Sequence, residues 1–340
     1  MFILGIESSC DETAVAIVED GIAVASSTIA STKEVFSKTG GVVPEDAARR
    51  QVECILPVLH TALKQAKMAP DNIDAIAVTR GPGLLGSLLV GTVTARTLSL
   101  LWGKPLVGVH HTFGHLSSVW VDADEEPQFP CITLSASGGH TDLWYRESHT
   151  HGMLLGRTRD DAAGEAFDKG ASMLGLPYPG GPSIAKAAEK GDEHAFDLPL
   201  ALSGEDTLDC SFSGLKTALK KVIRDQQPIT DNPKLIHDLA ASYQYAICLQ
   251  LVDRIKRAYK QHPKTEVHLV GGVSANIRLR ELTRHALPET TVRTPTSLQY
   301  CTDNAAMIAA AGYFMLRENK NTATEVFETS ATMPLDEFIS

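Results

Sequence analysis

The chain has 340 residues, enough for two domains that each bury a hydrophobic core of their own. Hydrophobic residues make up 43% and charged residues 21%, an ordinary globular composition, and no stretch has the roughly 18–20 uninterrupted apolar residues of a membrane span. The net charge of −10 opposes the approach of a polyanion such as RNA, unless basic residues cluster locally or a partner protein supplies part of the surface.

The N-terminal sequence and the cysteines bear on the cellular location of the protein. MFILGIESSCDET has no basic segment before its short apolar run, so neither a signal peptide nor a transit peptide is expected. The six cysteines are far apart and none forms a CxxC pair, which argues against a disulfide framework and against a cysteine zinc site. We therefore expect a cytoplasmic protein that is not attached to a membrane.

The first part of the chain predicts strands that alternate with helices. Strands are expected at residues 2–8, 14–19, 22–29, 73–79 and 105–109. A long helix is expected over residues 44–67, where Pro57 predicts a kink or a break. The glycine-rich sequence GPGLLG, residues 81–86, opens a second helix that ends near residue 101.

The remainder of the chain continues the same alternation. Strands are expected at 152–157 and 265–270, helices at 164–174, 182–190, 213–224, 233–262 and 303–318, and a loop at 191–209. The succession is typical of an α/β protein. The last helix is expected to return to the first domain, which gives one domain of 1–109 plus about 303–340 and a second of 110–302.

An internal repeat sharpens the predicted fold. Residues 3–19 align without a gap on residues 131–147, and both segments have the pattern of strand, polar turn and strand. Ser9 falls on Ser137 in this alignment. Two such hairpins are the plan of the actin-like ATPases and sugar kinases, in which duplicated mixed-sheet subdomains each offer a turn to nucleotide phosphates. The sequence thus predicts an α/β protein with a two-domain actin-like ATPase fold and a cleft between the domains.

Glycine turns at the ends of strands are candidate phosphate sites. Ser137–Gly139 lies between two expected strands, while Gly271 and Gly272 lie between a strand and a helix expected to begin near Ser274. Backbone amides in such turns approach phosphate oxygens closely, and a helix N-terminus favours an anion. A tight turn without a ligand is the alternative for each. Neither a GxxxxGK[ST] loop nor a GxGxxG fingerprint occurs, which disfavours P-loop and dinucleotide-binding proteins.

Histidines and an aspartate suggest a metal site. His111 and His115 are four residues apart, so on a helix they share one face and can chelate one cation. The alternative is that one or both are surface or N-terminal polar residues. Asp303 is a candidate third ligand, with the N-cap of the last helix as its alternative role. A zinc protease with the HExxH motif needs glutamate where this chain has Thr112, and that interpretation is disfavoured.

Acidic residues form two further groups. Asp11 and Glu12 lie in the first turn, where they can orient a water or a cation or accept a proton; solvated turn residues are the alternative. Asp161, Glu165 and Asp168 have the spacing of one helix face. They are candidates for helix caps or for contacts with a polar substrate group.

Ten segments in order, from residue 4 to residue 307, resemble the TsaD family of tRNA adenosine threonylcarbamoyltransferases, formerly named glycoprotein endopeptidases. The segments are LGIESSCDET, GGVVPE, RGPGLLGSLLVG, HHTFGH, SGGHT, DDAAGEAFDKGA, YPGGP, SFSGLKT, GGVSAN and CTDNAAM. The resemblance implies an actin-like fold and transfer of threonylcarbamoyl from threonylcarbamoyl-AMP. The acceptor would be N6 of the adenosine 3′ of the anticodon, in tRNAs that read codons beginning with A.

The same resemblance implies roles for individual residues. It implies one divalent metal ion, Fe2+ or Zn2+, on His111, His115 and Asp303, where it would polarise the threonylcarbamoyl carbonyl. Substrate contacts would come from Ser135, Ala136, Ser137, Gly138, Gly139, Asp168, Gly181 and Asn276. Catalytic acids would be Asp11 and Glu12. Ser9, Gly271 and Gly272 are further candidates for contact with nucleotide phosphates, and ATP or ADP binding is compatible with them.

The chain departs from the family pattern at two residues, and the resemblance also implies three partners. Phe113 replaces the glutamate of the family's HMEGH segment, and Pro177 stands where an acid often precedes YPGG. The implied partners are tRNA, a shorter actin-like paralogue named TsaB and a small P-loop ATPase named TsaE.

Two other classes of protein remain as alternatives. A small-molecule phosphotransferase on the same fold explains the glycine turns but gives the two histidines no role. A non-catalytic scaffold paralogue fits the fold but has no need of metal ligands.

Overall fold

This computed structural model describes residues 1–31, 43–226, 232–263, 265–319 and 327–335. The first half of the GGVVPE segment, residues 40–42, lies outside the described residues. The chain divides into two compact units, the first made of Met1–Gln128, Glu147–Met153 and Pro295–Ser340, the second of Phe129–Arg146 and Leu154–Thr294. The first unit thus extends past the expected boundary at residue 109, and the chain re-enters it before residue 303.

The first unit is built on a mixed sheet of five strands in the order β3-β2-β1-β4-β5. The strands are β1 (Phe2–Glu7), β2 (Glu12–Glu19), β3 (Ala23–Ser31), β4 (Ala75–Gly81) and β5 (Leu106–His110). β1 pairs antiparallel with β2 and parallel with β4, so β1 and β4 end at the same edge of the sheet.

The helices of the first unit cover both faces of this sheet. They are α1 (Pro44–Ala66), α2 (Leu85–Trp102), α3 (His111–Ser117) and α9 (Ala305–Glu318). Ile6 faces the core formed with α1 and α2. Gly5 faces α9, where a Cβ would lie 2.2 Å from the Ala305 carbonyl oxygen. Since the strands are covered on both faces, β1, β2 and β4 consist almost wholly of buried residues.

The second unit repeats the plan with a sheet in the order β10-β9-β6-β7-β8. Its strands are β6 (Cys131–Ala136), β7 (Thr141–Arg146), β8 (Gly152–Arg157), β9 (Glu266–Val270) and β10 (Val292–Arg293). Its helices are α4 (Ala163–Met173), α5 (Gly180–Ala188), α6 (Ser213–Asp225), α7 (Pro233–Gln261) and α8 (Ile277–Ala286). Its hydrophobic core joins the sheet to these helices, with Phe167, Phe212 and Tyr243 among its largest side chains.

The predicted repeat is present in the strand register. Ile3 pairs with Val18 in the first hairpin, and adding 128 to both numbers gives the observed pair Cys131 and Arg146. The relation holds through the pair of Glu7 with Ala14, which corresponds to Ser135 with Asp142. The two segments share the pattern of strand, polar turn and strand with apolar residues at corresponding positions, and this shared pattern accompanies the shared register.

A C-terminal segment, Phe327–Leu335, lies against the first unit. The Ser330 amide donates to the Arg80 carbonyl oxygen at 3.0 Å, and the Gly83 amide donates to the Ala331 carbonyl oxygen at 3.1 Å. Phe327 lies beneath the Arg96 guanidinium, 4.7 Å from ring centroid to Cζ. These contacts hold the segment along the turn between β4 and α2.

The α/β prediction is confirmed, and most expected elements occur within two residues of their predicted bounds. Pro57 does not end its helix, and it lies on the exposed side of α1. The helix expected to begin near Ser274 begins at Ile277, after a 3-10 turn over Gly272–Ala275. β10 was not anticipated, because two residues carry no measurable periodicity.

Candidate metal centre and glycine turns

Three side chains of the first unit converge in a cluster that can hold a metal ion. His111 and His115 lie one turn apart on α3, and Asp303 lies just before α9. The Asp303 Oδ1 atom is 3.2 Å from His115 Nε2 and 3.5 Å from His111 Nε2. The three ligand atoms lie within 4.8 Å of one another, so one cation can touch all three. Two imidazoles and one carboxylate form a donor set that suits iron(II) or a catalytic zinc ion with open positions.

The structure bears on the alternative roles of His115 and Asp303. The side chain of His115 is only 1% exposed, so it is not a surface residue. Asn304, rather than Asp303, is the N-cap of α9, since its Oδ1 accepts from the Met307 amide at 2.9 Å. The Asp303 carboxylate is therefore directed to the histidines while its neighbour satisfies the helix.

The charges around the cluster act on its first histidine. Burial lowers the pKa of His111, but the carboxylates of Asp303 and Glu7 outweigh burial and raise this pKa to about 9. An opposite charge within a few ångströms favours the charged form of a group. The carboxylates of Asp303 and Glu7 thus favour a positive charge at the cluster.

The N-terminus of α3 is fixed by the residue that precedes it, His110. His110 is the N-cap, and its Nδ1 accepts from the Thr112 amide at 3.1 Å. Its other ring nitrogen, Nε2, therefore carries the hydrogen and donates to the Met333 carbonyl oxygen at 3.0 Å. The Phe113 side chain, which departs from the family pattern, is fully buried in the first unit. It contributes packing rather than a polar contact.

The first turn lies beside the same helix. The Ser9 Oγ atom is 3.2 Å from His111 Nδ1. Asp11 and Glu12 are 8% and 4% exposed, so the interpretation of both as solvated turn residues is wrong. Gln51 of α1, which the sequence analysis did not single out, donates through Nε2 to the carbonyl oxygens of Cys10 and Glu12, both at 3.0 Å. This amide holds the backbone of the turn.

In the second unit, Ser135–Gly139 forms the end of β6 and the turn to β7. The Ser137 hydroxyl oxygen accepts from the amides of Gly139 and His140 and lies 2.8 Å from His140 Nδ1. His140 Nε2 is 2.9 Å from the Ser135 hydroxyl. His140 thus joins two serines of the turn, a role that sequence reasoning missed although the residue belongs to the SGGHT segment.

The glycines of this unit differ in what surrounds them. A Cβ on Gly138 or Gly139 would meet no protein atom within 4 Å, and the same holds for Gly181 and Gly272. The space beside these four backbones is open to a ligand. Gly271 is different, since its φ is +81° and a Cβ would lie 2.5 Å from the Ala136 carbonyl oxygen. The fold itself requires glycine at residue 271.

Asp168 and Asn276 are both engaged within the second unit. Asp168 Oδ1 accepts from the Gly180 amide at 2.7 Å, which fixes the start of α5. Burial raises the pKa of Asp168, against the opposing effect of that hydrogen bond. Asn276 is the N-cap of α8: its Oδ1 accepts from the Leu279 amide, and its Nδ2 donates to Gln244 at 2.8 Å.

The other acids of the DDAAGEAFDKG segment hold structure. Asp161 precedes α4 and does not share a helix face with Asp168; it binds Lys169 and Lys216, with distances of 2.9 and 2.7 Å. Asp160 accepts from the amides of Phe212 and Ser213 and so caps the start of α6. The six cysteines are all free thiols, as expected.

Comparisons with known proteins show the family to which the chain is similar. The sequence model of a family described as tRNA N6-adenosine threonylcarbamoyltransferase, TsaD, matches residues 23–310. A protein of that name from Symbiobacterium thermophilum is 51% identical over 318 residues, which cover 93% of this chain and 92% of that protein. Its namesake from Thermomicrobium roseum is 47% identical over 358 residues, covering 98% of this chain and 97% of the relative.

Solved structures resemble the fold at low sequence identity. HypF from T. kodakarensis aligns with a TM-score of 0.62 and 14% identity, over 95% of this chain and 49% of HypF. Component A of the (R)-2-hydroxyglutaryl-CoA dehydratase of Acidaminococcus fermentans aligns with a TM-score of 0.52 and 16% identity, over 95% of this chain and all of that one. These neighbours have the actin-like ATPase fold, which confirms the predicted fold class.

Proposed function

The chain belongs to the TsaD family of tRNA N6-adenosine threonylcarbamoyltransferases, and on this premise we propose the reaction and the residues that perform it. The chain is a transferase of the acyltransferase type. We propose that it moves threonylcarbamoyl from threonylcarbamoyl-AMP to N6 of the adenosine 3′ of the anticodon, in tRNAs that read codons beginning with A. The observation that carries the proposal is the cluster of His111, His115 and Asp303 in a chain of this family.

These three residues are proposed to hold one divalent ion, Fe2+ or Zn2+. The donor set supports this assignment, because two imidazoles and a carboxylate leave coordination positions free for a substrate oxygen. When bound, such an ion supplies Lewis-acid polarisation of a carbonyl oxygen. The protein's own part is to keep both Nε2 atoms and the carboxylate directed to one point.

The substrate adenylate is proposed to contact the second unit. The proposed contacts are Ser135, Ala136, Ser137, Gly138, Gly139, Asp168, Gly181 and Asn276, with Gly272 and Ser9 as further phosphate contacts. Open space beside Gly138, Gly139, Gly181 and Gly272 supports close approach of a ligand to those backbones. At residue 271 the backbone conformation alone requires glycine, whether or not a ligand binds there. The proposed phosphate contact of Gly271 therefore has no separate support. ATP or ADP binding at the same turns is part of this proposal.

Attack by the N6 amine on the carbamoyl carbon releases a proton as AMP departs. Asp11 and Glu12 are proposed to take part in this transfer, either by accepting the proton or by orienting a water molecule that does so. Their burial beside the first turn supports a role other than solvation. Asp11→Asn and Glu12→Gln test this role, because each replaces the carboxyl group by a carboxamide of similar size. We expect each variant to slow transfer without loss of substrate binding.

tRNA, a TsaB-like paralogue and a TsaE-like ATPase are the proposed partners, and the cytoplasm is the proposed location. α1 packs against α2, and the two helices expose Val52, Leu56, Leu89 and Val93, each more than 40% accessible. This apolar face supports the proposed paralogue contact. Leu56→Glu should weaken that contact by at least roughly 30-fold, and Arg50→Glu on the same helix should not.

α2 also has the length and composition of a membrane span, a test that core helices of soluble proteins pass as well.

The proposed function is tested by transfer of labelled threonine to tRNA. The chain, its two protein partners, synthetic threonylcarbamoyl-AMP and unmodified tRNA are mixed, and the metal content of each variant is measured. We expect His111→Ala and His115→Ala to lose both the metal and the transfer. His285→Ala, which changes an exposed histidine of α8, serves as the matched control and should keep both.

Each other outcome decides against a specific part of the proposal. No transfer by wild type, with metal and partners bound, contradicts the transferase assignment and favours the phosphotransferase or scaffold alternatives. Transfer that persists in both metal-free variants keeps the reaction but removes the metal from it.

A further inference from the structure

Glu7 is a buried acid that the proposed reaction leaves without a role. It is the last residue of β1, and its side chain is 1% exposed. A carboxylate is costly to bury unless its oxygens accept hydrogen bonds. The contacts of Glu7 therefore indicate what the fold keeps it for.

Three donors meet this carboxylate. The Ser9 amide donates to Oε1 at 2.6 Å, and the Thr79 hydroxyl of β4 donates to Oε2 at 2.6 Å. His111 Nδ1 lies 3.2 Å from the same Oε2. The first two donors lie in the turn that follows β1 and in β4, whereas the third belongs to the candidate metal cluster.

The contact fixes which ring nitrogen of His111 is free. The Glu7 oxygens act as acceptors, so Nδ1 carries the hydrogen and donates. In the neutral form of the ring, which is the form that binds a metal, the lone pair is therefore on Nε2, 3.5 Å from the Asp303 Oδ1 atom. A histidine that binds a metal commonly donates its other N–H to a carboxylate, which orients the ring and raises the basicity of the ligating nitrogen.

Thr79 makes the arrangement rigid. β1 and β4 are parallel neighbours, with Ile6 opposite Val78, so Glu7 and Thr79 follow each other at the carboxyl edge of the sheet. The Thr79 side chain is fully buried, and its hydroxyl restrains the Glu7 oxygen that faces His111. A line of contacts thus runs from β4 through β1 to α3.

We propose that Glu7 is a positioning residue of the metal centre, which it serves by holding His111 with Nε2 directed to the ion, and that Thr79 holds Glu7 in turn. The proposal rests on the proposed function only in that His111, His115 and Asp303 bind a metal. Glu7 acts through its contact with His111. Its effect is on metal affinity.

The test is equilibrium binding of Zn2+ to the full chain after removal of metal, measured by competition with a chromophoric chelator. Glu7→Gln keeps the size of the side chain but removes the charge, and should raise the zinc Kd by roughly 10- to 100-fold. Thr79→Val should raise it less, by a few-fold, because the carboxylate remains. Thr92→Val removes another fully buried hydroxyl of the first unit, one that bonds to Leu88 of its own helix, and should leave the Kd unchanged.

Melting temperatures with and without zinc separate positioning from folding. A residue that positions a ligand reduces the rise in Tm that zinc causes, because this rise depends on the Kd. If Glu7→Gln lowers the Tm of the metal-free chain but keeps the wild-type Kd and zinc-induced rise, the proposal is overturned. If Glu7→Gln does not fold, a wild-type Kd in Thr79→Val overturns it. Absence of zinc binding by wild type would instead contradict the metal centre itself.

Discussion

The first hairpin, β1–β2, and its counterpart, β6–β7, have one backbone design and two kinds of chemistry. Their strand registers coincide after a shift of 128 residues, and the position of Glu7 in one corresponds to Ser135 in the other. In the first hairpin this position carries a carboxyl group that accepts three hydrogen bonds, one of them from His111, a proposed metal ligand. In the second it carries a hydroxyl 2.9 Å from a histidine ring.

The turns of the two hairpins differ in the same way. The first turn is buried around Asp11 and Glu12, and Gln51 holds its backbone. The second turn is exposed at Gly138 and Gly139. A duplicated scaffold thus fixes where functional groups lie, while the side chains decide whether a turn is locked within the protein or left open to a ligand.

The largest effect is expected at the candidate metal cluster, which lies in the same unit as the first hairpin. Asp303→Asn removes the anionic ligand but keeps the size of the side chain. We expect metal affinity to fall by at least about 100-fold, the upper end of what a residue behind a ligand contributes. Measurement of the zinc Kd checks this result.

Asn304 provides the control for that change. Asn304→Asp keeps the oxygen that accepts from the Met307 amide but loses the N–H that donates to the Thr302 carbonyl oxygen at 2.8 Å, so the Tm should fall while the metal is retained. Equal loss of metal in both variants would mean that the start of α9, rather than the carboxylate of Asp303, decides metal binding.

The next effect concerns stability in the second unit. Gly271→Ala forces a Cβ onto a backbone with φ of +81° and ψ of 170°. We expect the free energy of unfolding to fall by about 1–3 kcal/mol from the backbone alone. Gly272→Ala has open space beside it and should change stability by no more than about 0.5 kcal/mol. Chemical denaturation of the two variants measures the difference.

The smallest effect on stability, and the one most specific to binding, is expected at Gly138. Gly138→Ala should leave the unfolding free energy within about 0.5 kcal/mol of wild type, since its Cβ meets no protein atom. We expect the KM for threonylcarbamoyl-AMP to rise about tenfold, which corresponds to roughly 1.4 kcal/mol of lost binding. An unchanged KM would show that the open space beside this turn is not used by substrate.

Much of the fold was predictable because it depends on local patterns. The repeated hairpin follows from two segments that align without a gap and share the pattern of strand, polar turn and strand. His111 and His115 were found as a pair because a helix places residues four apart on one face. The site residues implied by family resemblance remain predictions until they are tested.

Other features depend on contacts that no local pattern carries. Glu7 and Thr79 meet because β1 and β4 are adjacent, although they lie 72 residues apart in the chain. Asp303 and Asn304 are both good N-cap residues, so the sequence could not decide which one caps α9 and which one faces the histidines. His140 was missed because its role depends on the rotation of its ring between two serines.

The order in which the ribosome makes the chain bears on the metal cluster. His111 and His115 emerge well before Asp303, and the Met333 carbonyl that fixes the start of α3 emerges later still. Because synthesis proceeds from the N-terminus, the nascent chain carries two histidines for many seconds without the carboxylate that completes the set. The proposed metal ion can therefore be held by all three residues only after Asp303 has been made.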